Sequence, residues 1–191
     1  DNFRGGYLAT QHLIKLGHQR IAHVHGTPDA STAHGRSDGY RSALDKANLA
    51  FNEELLVYGN YSYSGGYAAA RKLMALDLPP TAIFAANDVT AMGVMDGVLD
   101  AGYRVPEDVA LVGFDDIPLA SLRAIGLTTI HHDYVKIAEE AFDLLLYKIA
   151  HKDEPASPEV TLRIHQVYLV VRRTCGADPG WRTDRPTGSP A

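Results

Sequence analysis

The sequence lacks several features that mark particular classes of protein. Its single cysteine, Cys175, excludes an internal disulfide and fits a reducing compartment. No apolar run approaches the ~18 residues that a membrane-spanning helix needs. There is no block of Lys or Arg, and the formal net charge of the 191 residues is −5, which is poorly suited to binding phosphates unaided. A membrane protein, a disulfide-rich scaffold and a basic nucleic-acid-binding arm are therefore excluded.

Motifs of common catalytic and cofactor sites are also missing. The sequence has no Gly-x-Ser-x-Gly nucleophile motif, no Gly-Lys-Ser/Thr phosphate loop and no Gly-x-Gly-x-x-Gly dinucleotide motif. His23 and His25 share one face of a predicted strand and could hold a metal, but no cluster has the ligand spacing of a zinc site. We therefore expect no enzymatic activity, no cofactor and no metal.

Apolar residues make up 46% of the chain and alternate between helical and strand patterns. Strands without polar alternation are typical of a parallel sheet that helices cover on both faces. The predicted fold is therefore α/β and doubly wound, with a mostly parallel sheet. The predicted strands are 20–25, 55–58, 81–86 and 109–114, and the predicted helices are 6–16, 36–48, 64–76 and 88–101.

The pattern changes after residues 127–130. An amphipathic helix is predicted over 133–150, with an apolar stripe that includes Phe142 and Ile149. A long strand is predicted over 161–172. From residue 175 onward the chain has almost no core-forming residues, so we expect a disordered tail over 175–191.

Polar residues follow the predicted strands of the parallel sheet. Ligands of such sheets bind beyond the carboxyl ends of the strands, where loops and helix N-termini meet. An arginine, an aromatic ring, an amide and carboxylates would meet there, and this set suits a polyhydroxylated ligand. The residues are Arg36, Tyr61, Asn87 and Asp115.

Each of these residues also has a purely structural interpretation. Asn87 or Asp88 could be the N-cap of the following helix, and Asp116 could only shape a turn. Arg36 could be a solvated residue at a helix start, and Tyr61 could be ordinary packing. Their convergence on one edge favours ligand binding for Arg36, Asn87 and Asp115. Of the adjacent pair His131–His132, at most one can line a cleft, because neighbouring strand residues face opposite ways.

The order of several motifs resembles the LacI/GalR family of bacterial transcription regulators. The resemblance covers residues 1–174, and the Ala-Asn-Asp and Gly-Phe-Asp-Asp signatures are highly specific together. The motifs that carry it are Leu-Gly-His-Gln-Arg-Ile-Ala at 16–22, Arg-Ser-Asp-Gly-Tyr at 36–40, Phe-Ala-Ala-Asn-Asp at 84–88, Val-Gly-Phe-Asp-Asp-Ile-Pro at 112–118, Leu-Thr-Thr-Ile at 127–130 and Leu-Val-Val-Arg-Arg-Thr at 169–174.

The resemblance implies a two-lobed effector domain shaped like periplasmic sugar-binding proteins. Its effector, a sugar or a related small metabolite such as a nucleoside, would sit between the lobes. By resemblance, Arg36, Asn87 and Asp115 would bind effector hydroxyls, Tyr61 would stack on the ligand, and His132 would reach it from the crossover between the lobes. The surface of a homodimer would include Met92, Leu119, Leu122 and Arg123.

The resemblance also implies a division of the chain. Residues 1–128 would form the carboxyl-side lobe, 129–160 a strand and helix of the amino-side lobe, and 161–174 a returning strand. In such regulators a helix-turn-helix, a hinge helix and the first strands of the amino-side lobe come earlier, and this sequence contains none of them. Operator DNA would therefore be bound only by that absent N-terminal part, and the helix over 133–150 would have no sheet to cover here.

We therefore expect the effector-binding and dimerising portion of a cytoplasmic LacI/GalR-type regulator that contacts no membrane. The alternative is a solute-binding protein of the same fold that serves transport. An α/β enzyme sharing the architecture is a third hypothesis, since a fold does not fix a function. Many relatives have Arg or Gln with a Pro after Thr-Thr-Ile, whereas this chain has His131-His132-Asp133, which could add pH sensitivity near neutrality.

Overall fold

The computed structural model describes residues 1–152 and 162–177. The described part contains five α-helices and six strands, joined by short loops and 3-10 turns. In chain order they are α1 Asn2–Lys15, β1 Ile21–His25, α2 Ser31–Lys46, β2 Leu56–Tyr58, α3 Tyr63–Met74, β3 Ala82–Ala85, α4 Asp88–Asp100, β4 Ala110–Asp115, β5 Thr128–His132, α5 Tyr134–Ala150 and β6 Val167–Val170.

The strands form one sheet in the order β2-β1-β3-β4-β5-β6. Neighbouring strands from β2 to β5 are parallel, and β6 runs antiparallel to β5 at the edge. The strand order reverses between β1 and β3, so their carboxyl ends form the crevice where doubly wound folds bind ligands. The prediction of an α/β, doubly wound, mostly parallel sheet is confirmed.

Helices cover both faces of the sheet and bury a separate core on each. On one face, α1 and α2 pack Leu13 and Tyr40 against the sheet residue Phe84. On the other face, α3 and α4 pack Leu73 and Val94 against the opposite side of the strands. Strands covered on both sides must be apolar throughout, which explains the fully buried run of β3.

Glycines allow the helices of each pair to approach closely. A Cβ atom at Gly6 of α1 would overlap the backbone carbonyl oxygen of Arg36 in α2. In the same way, a Cβ at Gly93 of α4 would overlap the carbonyl oxygen of Tyr63 at the start of α3. Only glycine permits these backbone contacts.

Two predicted strands differ from the structure. The strand that we assigned to a second lobe from residue 129 lies inside the one sheet, because Thr129 pairs with Gly113 of β4. The long strand predicted over 161–172 is reduced to Val167–Val170, since only these residues lie opposite β5, which ends at His132. Residue 161 lies outside the described residues.

The predicted start of the tail is also wrong. Cys175 is buried in the core of the α1–α2 face, at the end of a 3-10 turn over Arg173–Cys175. The chain therefore remains packed past residue 174, because the turn returns Thr174 to the backbone of Thr128 and Leu111. Residues 178–191 lie outside the described residues.

Helix α5 has no buried residue along its length. Its apolar side chains Phe142, Leu145 and Ile149 are all more than half exposed. The apolar stripe predicted from the sequence is thus present. Within residues 1–152 and 162–177, no part of the chain buries it. Among these residues, no helix combines the length and the hydropathy that crossing a membrane would require.

Candidate functional site

The carboxyl ends of β1, β3, β4 and β5 meet at one edge of the sheet, and the candidate ligand residues lie there. Arg36 comes from α2, which begins at Ser31 instead of residue 36 as predicted, so Arg36 lies in the second turn of the helix. The residue as a whole is only 8% exposed. The interpretation of Arg36 as a solvated residue at a helix start is therefore wrong.

The Arg36 guanidinium is held by several groups of the protein. Its Nε donates to Asn2 Oδ1 at 2.9 Å, and its Nη1 donates to the carbonyl oxygen of Ala86 at the end of β3. Its Cζ lies 3.6 Å from the ring centroid of Phe114, a cation–π contact. Burial lowers the pKa of Arg36, and the nearby Asp115 carboxylate opposes this shift. The result is a pre-oriented cation at the sheet edge.

Asp115 ends β4 and faces two basic side chains. Its Oδ1 lies 3.7 Å from Arg36 Nη2 and 3.4 Å from His132 Nε2. Its φ of +113° is in the region that residues with a side chain rarely adopt. Such conformations concentrate at functional sites, where the surrounding structure holds them. The structure thus brings together Arg36, Asp115 and His132.

Tyr61 lies in the loop between β2 and α3, beside the same edge. Its ring fills the space next to Gly26, where any Cβ would overlap it, and its hydroxyl shares a 3.0 Å hydrogen bond with Thr32 Oγ1. The ring centroid is 5.7 Å from Arg36 Cζ. Tyr61 has a φ of +54°, which is unusual for an aromatic residue. This half-buried ring can present an apolar face to a ligand.

Asn87 caps helix α4, with its Oδ1 accepting from the backbone N–H of Thr90 at 2.9 Å. The structure therefore gives Asn87 the role that we left open between Asn87 and Asp88. Asn87 stays half-buried at the sheet edge. Its side-chain amide nitrogen can still donate to a ligand, since the cap uses only the oxygen.

Asp88, the other N-cap candidate, has a different role. It is fully buried; its Oδ2 accepts from the Ile117 N–H at 2.9 Å, and its Oδ1 accepts from the Thr129 hydroxyl at 2.5 Å. A Cβ at Gly113 would overlap Oδ1, so that strand position must be glycine. Burial raises the pKa of Asp88 from 3.8 to about 7, and the two hydrogen bonds oppose this rise. Asp88 therefore ties α4 to β5 and to the segment after β4.

His131 and His132 face different carboxylates, as the alternation of a strand requires. His131 Nδ1 lies 2.9 Å from Asp116 Oδ2, whereas His132 faces Asp115. Asp116 also accepts from Arg172 Nη2 at 2.6 Å, so it does more than shape a turn. Only His132 is directed to the candidate ligand residues.

His23 and His25 lie on the same face of β1, as predicted, and both are buried. Burial lowers the pKa of His23 to about 3, so the ring is neutral and its Nδ1 donates to the Phe84 carbonyl at 2.9 Å. His25 Nδ1 is paired with Ser37 Oγ at 2.6 Å. Within the part of the chain that the structure describes, no three potential ligands form a metal-binding group.

The predicted dimer residues lie in α4 and in and after the 3-10 turn that follows β4. Leu119 and Leu122 are each 50% exposed around the 3-10 turn over Pro118–Ser121, and Arg123 is exposed. Met92 is half-buried in α4. The bond from Ile117 to Asp88 connects this turn to the start of α4.

Sequence reasoning missed the groups that hold the ligand residues in place. Asn2 fixes Arg36, Thr32 fixes the Tyr61 hydroxyl, and Arg172 fixes Asp116. Asn2 and Thr32 carry no motif that points to these contacts. The Arg-Arg pair at 172–173 lies within a motif of the resemblance, but its contacts across the sheet require the fold.

Comparison with known proteins identifies the family. Residues 10–175 match the model of the periplasmic binding protein-like domain. The chain belongs to this family. Within it, the chain corresponds to an effector-binding region of LacI/GalR-type regulators, and the resemblance stated above is confirmed.

Two curated relatives illustrate the match. The HTH-type transcriptional repressor PurR of Haemophilus influenzae is 39% identical over 153 residues, which are 80% of this chain and 46% of the relative. The ribose operon repressor of Escherichia coli K12 is 42% identical over 169 residues, which are 88% of this chain and 50% of the relative. The chain thus spans about half the length of these relatives. Both relatives are named as repressors.

Solved structures of the family share the fold. The transcriptional regulator CelR in complex with cellobiose has a TM-score of 0.84 at 34% identity, covering 91% of this chain and 52% of that one. A LacI-family regulator from Enterococcus faecium with bound ribose has a TM-score of 0.78 at 32% identity, covering 91% of this chain and 62% of that one. The periplasmic-binding-protein-like architecture is therefore shown.

Proposed function

We propose that this chain is the effector-binding portion of a transcriptional regulator and takes a small polyhydroxylated metabolite, a sugar or a nucleoside-like compound. One observation carries the proposal. Arg36, Asp115 and His132 converge at the carboxyl edge of the sheet, beside the point where the strand order reverses. Asp115 keeps its unfavourable backbone conformation there.

The chemistry of these groups matches vicinal hydroxyls. Asp115 can accept two hydrogen bonds from neighbouring hydroxyls, while Arg36 and Asn87 can donate to hydroxyl oxygens. Tyr61 offers its ring to the C–H face of a sugar or to a base. The facing Arg36 and Asp115 carry opposite charges, so the edge favours an uncharged ligand over a phosphate or a carboxylate.

Regulation would follow from linkage between two binding events. An effector that binds one lobe arrangement better than another shifts the population toward that arrangement. Operator DNA would be bound by a separate DNA-binding segment of the regulator, and the regulator would act in the cytoplasm. The names of the relatives support this proposal, since both are repressors.

We further propose that the regulator is a homodimer and that its interface includes Met92, Leu119, Leu122 and Arg123. The two half-exposed leucines support this surface, because exposed large apolar side chains that lie close together mark contact sites. The Asp88–Ile117 hydrogen bond joins this surface to the helix that Asn87 caps.

A thermal-shift panel on the full-length protein tests the ligand class. D-ribose, cellobiose, adenosine and inosine would each be added, with phosphorylated and carboxylated sugars as the charged arm. A ligand at ~100 times its dissociation constant adds about 2.7 kcal/mol of stability. Stabilisation by an uncharged member alone supports the proposal, and stabilisation by the charged arm alone contradicts it.

The genomic reading frame tests the regulatory role separately. A helix-turn-helix upstream of residue 1 in the same gene is the expected result. A secretion signal in that place would contradict the regulator proposal and support the alternative of a solute-binding protein that serves transport.

A further inference from the structure

Two neighbouring clusters lie side by side at the ends of β4 and β5. Each contains one aspartate at or directly after the end of β4, one histidine from β5 and one arginine from elsewhere in the chain. The first, which we call the rim cluster, consists of Arg36, Asp115 and His132. The second, which we call the clasp, consists of Asp116, His131 and Arg172.

The clasp has closer contacts than the rim cluster. Asp116 binds His131 at 2.9 Å and Arg172 at 2.6 Å, whereas the two contacts of Asp115 are 3.7 and 3.4 Å long. The clasp residues are also 15–24% exposed in their side chains, so water screens their pairing only in part. The clasp is therefore the more rigid of the two clusters.

Arg172 anchors the clasp to the sheet. Its Nη1 donates to the carbonyl oxygen of Leu127 at 2.8 Å, and its backbone N–H donates to Thr128 Oγ1 at 2.9 Å. The ring of His131 stacks on Tyr168 of β6, with centroids 4.7 Å apart. The clasp thus connects the end of β4 to both β5 and β6.

The backbone between the clusters requires such an anchor. Asp115 and Asp116 have φ values of +113° and +58°, two consecutive left-handed residues with side chains. This pair of conformations turns the two adjacent carboxylates to different partners. An unfavourable backbone persists only where the surrounding structure determines it, and Asp116 has the closest contacts of the two.

We propose that Asp116 is a positioning residue for Asp115. Its contacts in the clasp hold the left-handed backbone that presents Asp115 to Arg36 and His132. Releasing the clasp lets Asp115 leave these two partners. The inference rests on the proposed function only in treating Asp115 as a ligand residue.

Crystal structures of the full-length protein and of its Arg172→Gln variant, both without ligand, test the proposal. Glutamine removes the guanidinium whose Nη2 lies 2.6 Å from Asp116 Oδ1, while Asp115 and its two partners keep their own side chains. The distances from Asp115 Oδ1 to Arg36 Nη2 and to His132 Nε2 then report whether Asp115 keeps its position.

The expected result is that Asp115 Oδ1 lies more than roughly 4 Å, the limit of an ion pair, from at least one of its two partners in Arg172→Gln. Wild-type distances to both partners overturn the proposal. If Arg172→Gln does not fold, Asp116→Asn decides, since it keeps the shape of the side chain and removes the charge that pairs with His131 and Arg172. The proposal expects the same displacement of Asp115 there, and unchanged distances overturn it.

Arg104→Gln is the matched control, because Arg104 pairs with Asp108 on the exposed surface and far from the clasp in sequence. It should leave both distances of Asp115 unchanged. The measurement needs no effector, so its outcome is independent of the thermal-shift panel. A failed panel would contradict the proposed function alone, and unchanged distances in the clasp variant would contradict the role of Asp116 alone.

Discussion

The guanidinium of Arg36 lies over the ring of Phe114, with Cζ 3.6 Å from the ring centroid. Phe114 is the buried residue directly before Asp115 in β4. The same strand therefore supplies both the aromatic face under the cation and the carboxylate that faces it. This relationship explains how a nearly buried arginine is held ready at the edge of the sheet.

Arg36→Lys should weaken binding of the effector at least tenfold, which corresponds to about 1.4 kcal/mol. Lysine keeps the charge but loses the planar fork that contacts Asn2, Ala86 and Phe114. Isothermal titration with the ligand found by the thermal-shift panel measures the change. Arg104→Lys, at the exposed pair with Asp108, is the control and should bind like the wild type. Equal affinities of Arg36→Lys and wild type would contradict the assignment of Arg36.

Asp88→Asn should change how stability depends on pH. The folded-state pKa of Asp88 is raised to about 7 from 3.8, so the folded protein holds a proton that the unfolded chain releases at lower pH. The contribution of Asp88 to the free energy of unfolding is fully present below about pH 4 and is lost as the pH rises through 7. The asparagine variant has no such loss.

Urea denaturation at pH 5 and pH 8 checks this prediction. The free energy of unfolding of Asp88→Asn minus that of the wild type should be higher at pH 8 than at pH 5, by on the order of 2–3 kcal/mol. Asp108→Asn is the control: Arg104 lowers the pKa of Asp108, so that carboxylate titrates below this window. A pH-independent difference between Asp88→Asn and the wild type would mean that Asp88 is ionised throughout.

Gly6→Ala should destabilise the fold and disturb Arg36 together. The added methyl group would overlap the Arg36 carbonyl oxygen, so α1 and α2 must move apart. We expect a loss of about 2–3 kcal/mol in the free energy of unfolding, since overpacking against backbone cannot relax locally. Lys15→Ala, at an exposed position of the same helix, should stay within about 0.5 kcal/mol. A stable Gly6→Ala variant would show that the helices can separate without cost.

Leu119→Asp with Leu122→Asp should dissociate the proposed homodimer. A charge on each half-exposed leucine opposes burial at an interface, because an unpaired charge is costly to desolvate. Sedimentation velocity of the full-length protein measures the oligomeric state. Leu78→Asp is the control, since Leu78 is 70% exposed and lies before the amino-terminal end of β3, whereas the two leucines follow the carboxyl end of β4. A double variant that remains dimeric would place the interface elsewhere.

The sequence was sufficient to predict the parallel sheet, because each central strand is an apolar run that helices cover on both sides. It was also sufficient to predict the edge where the candidate ligand residues meet, since the carboxyl ends of parallel strands lie at the same edge of a sheet. It could not give the role of Asp88, because an acid after a strand has the same local pattern as an N-cap. The pairing of Asp116 with Arg172 joins residues 56 positions apart, and no local pattern encodes it.

The predicted length of β6 was wrong for a related reason. A strand extends only as far as its neighbour, and β5 ends at His132, where α5 begins two residues later. The apolar residues before Val167 satisfy a strand pattern, yet Leu162 and Ile164 are exposed. Periodicity reports which side chains could pair, whereas the partner strand decides how many do.

Isothermal titration of the stabilising ligand into wild type, Asp115→Asn and Asp108→Asn tests the central claim most directly. Asparagine at position 115 keeps the shape of the side chain and removes the charge that faces Arg36 and His132. The account predicts wild-type affinity for Asp108→Asn and a loss of about tenfold to a hundredfold for Asp115→Asn. Wild-type affinity in Asp115→Asn would contradict the placement of the effector at this edge of the sheet.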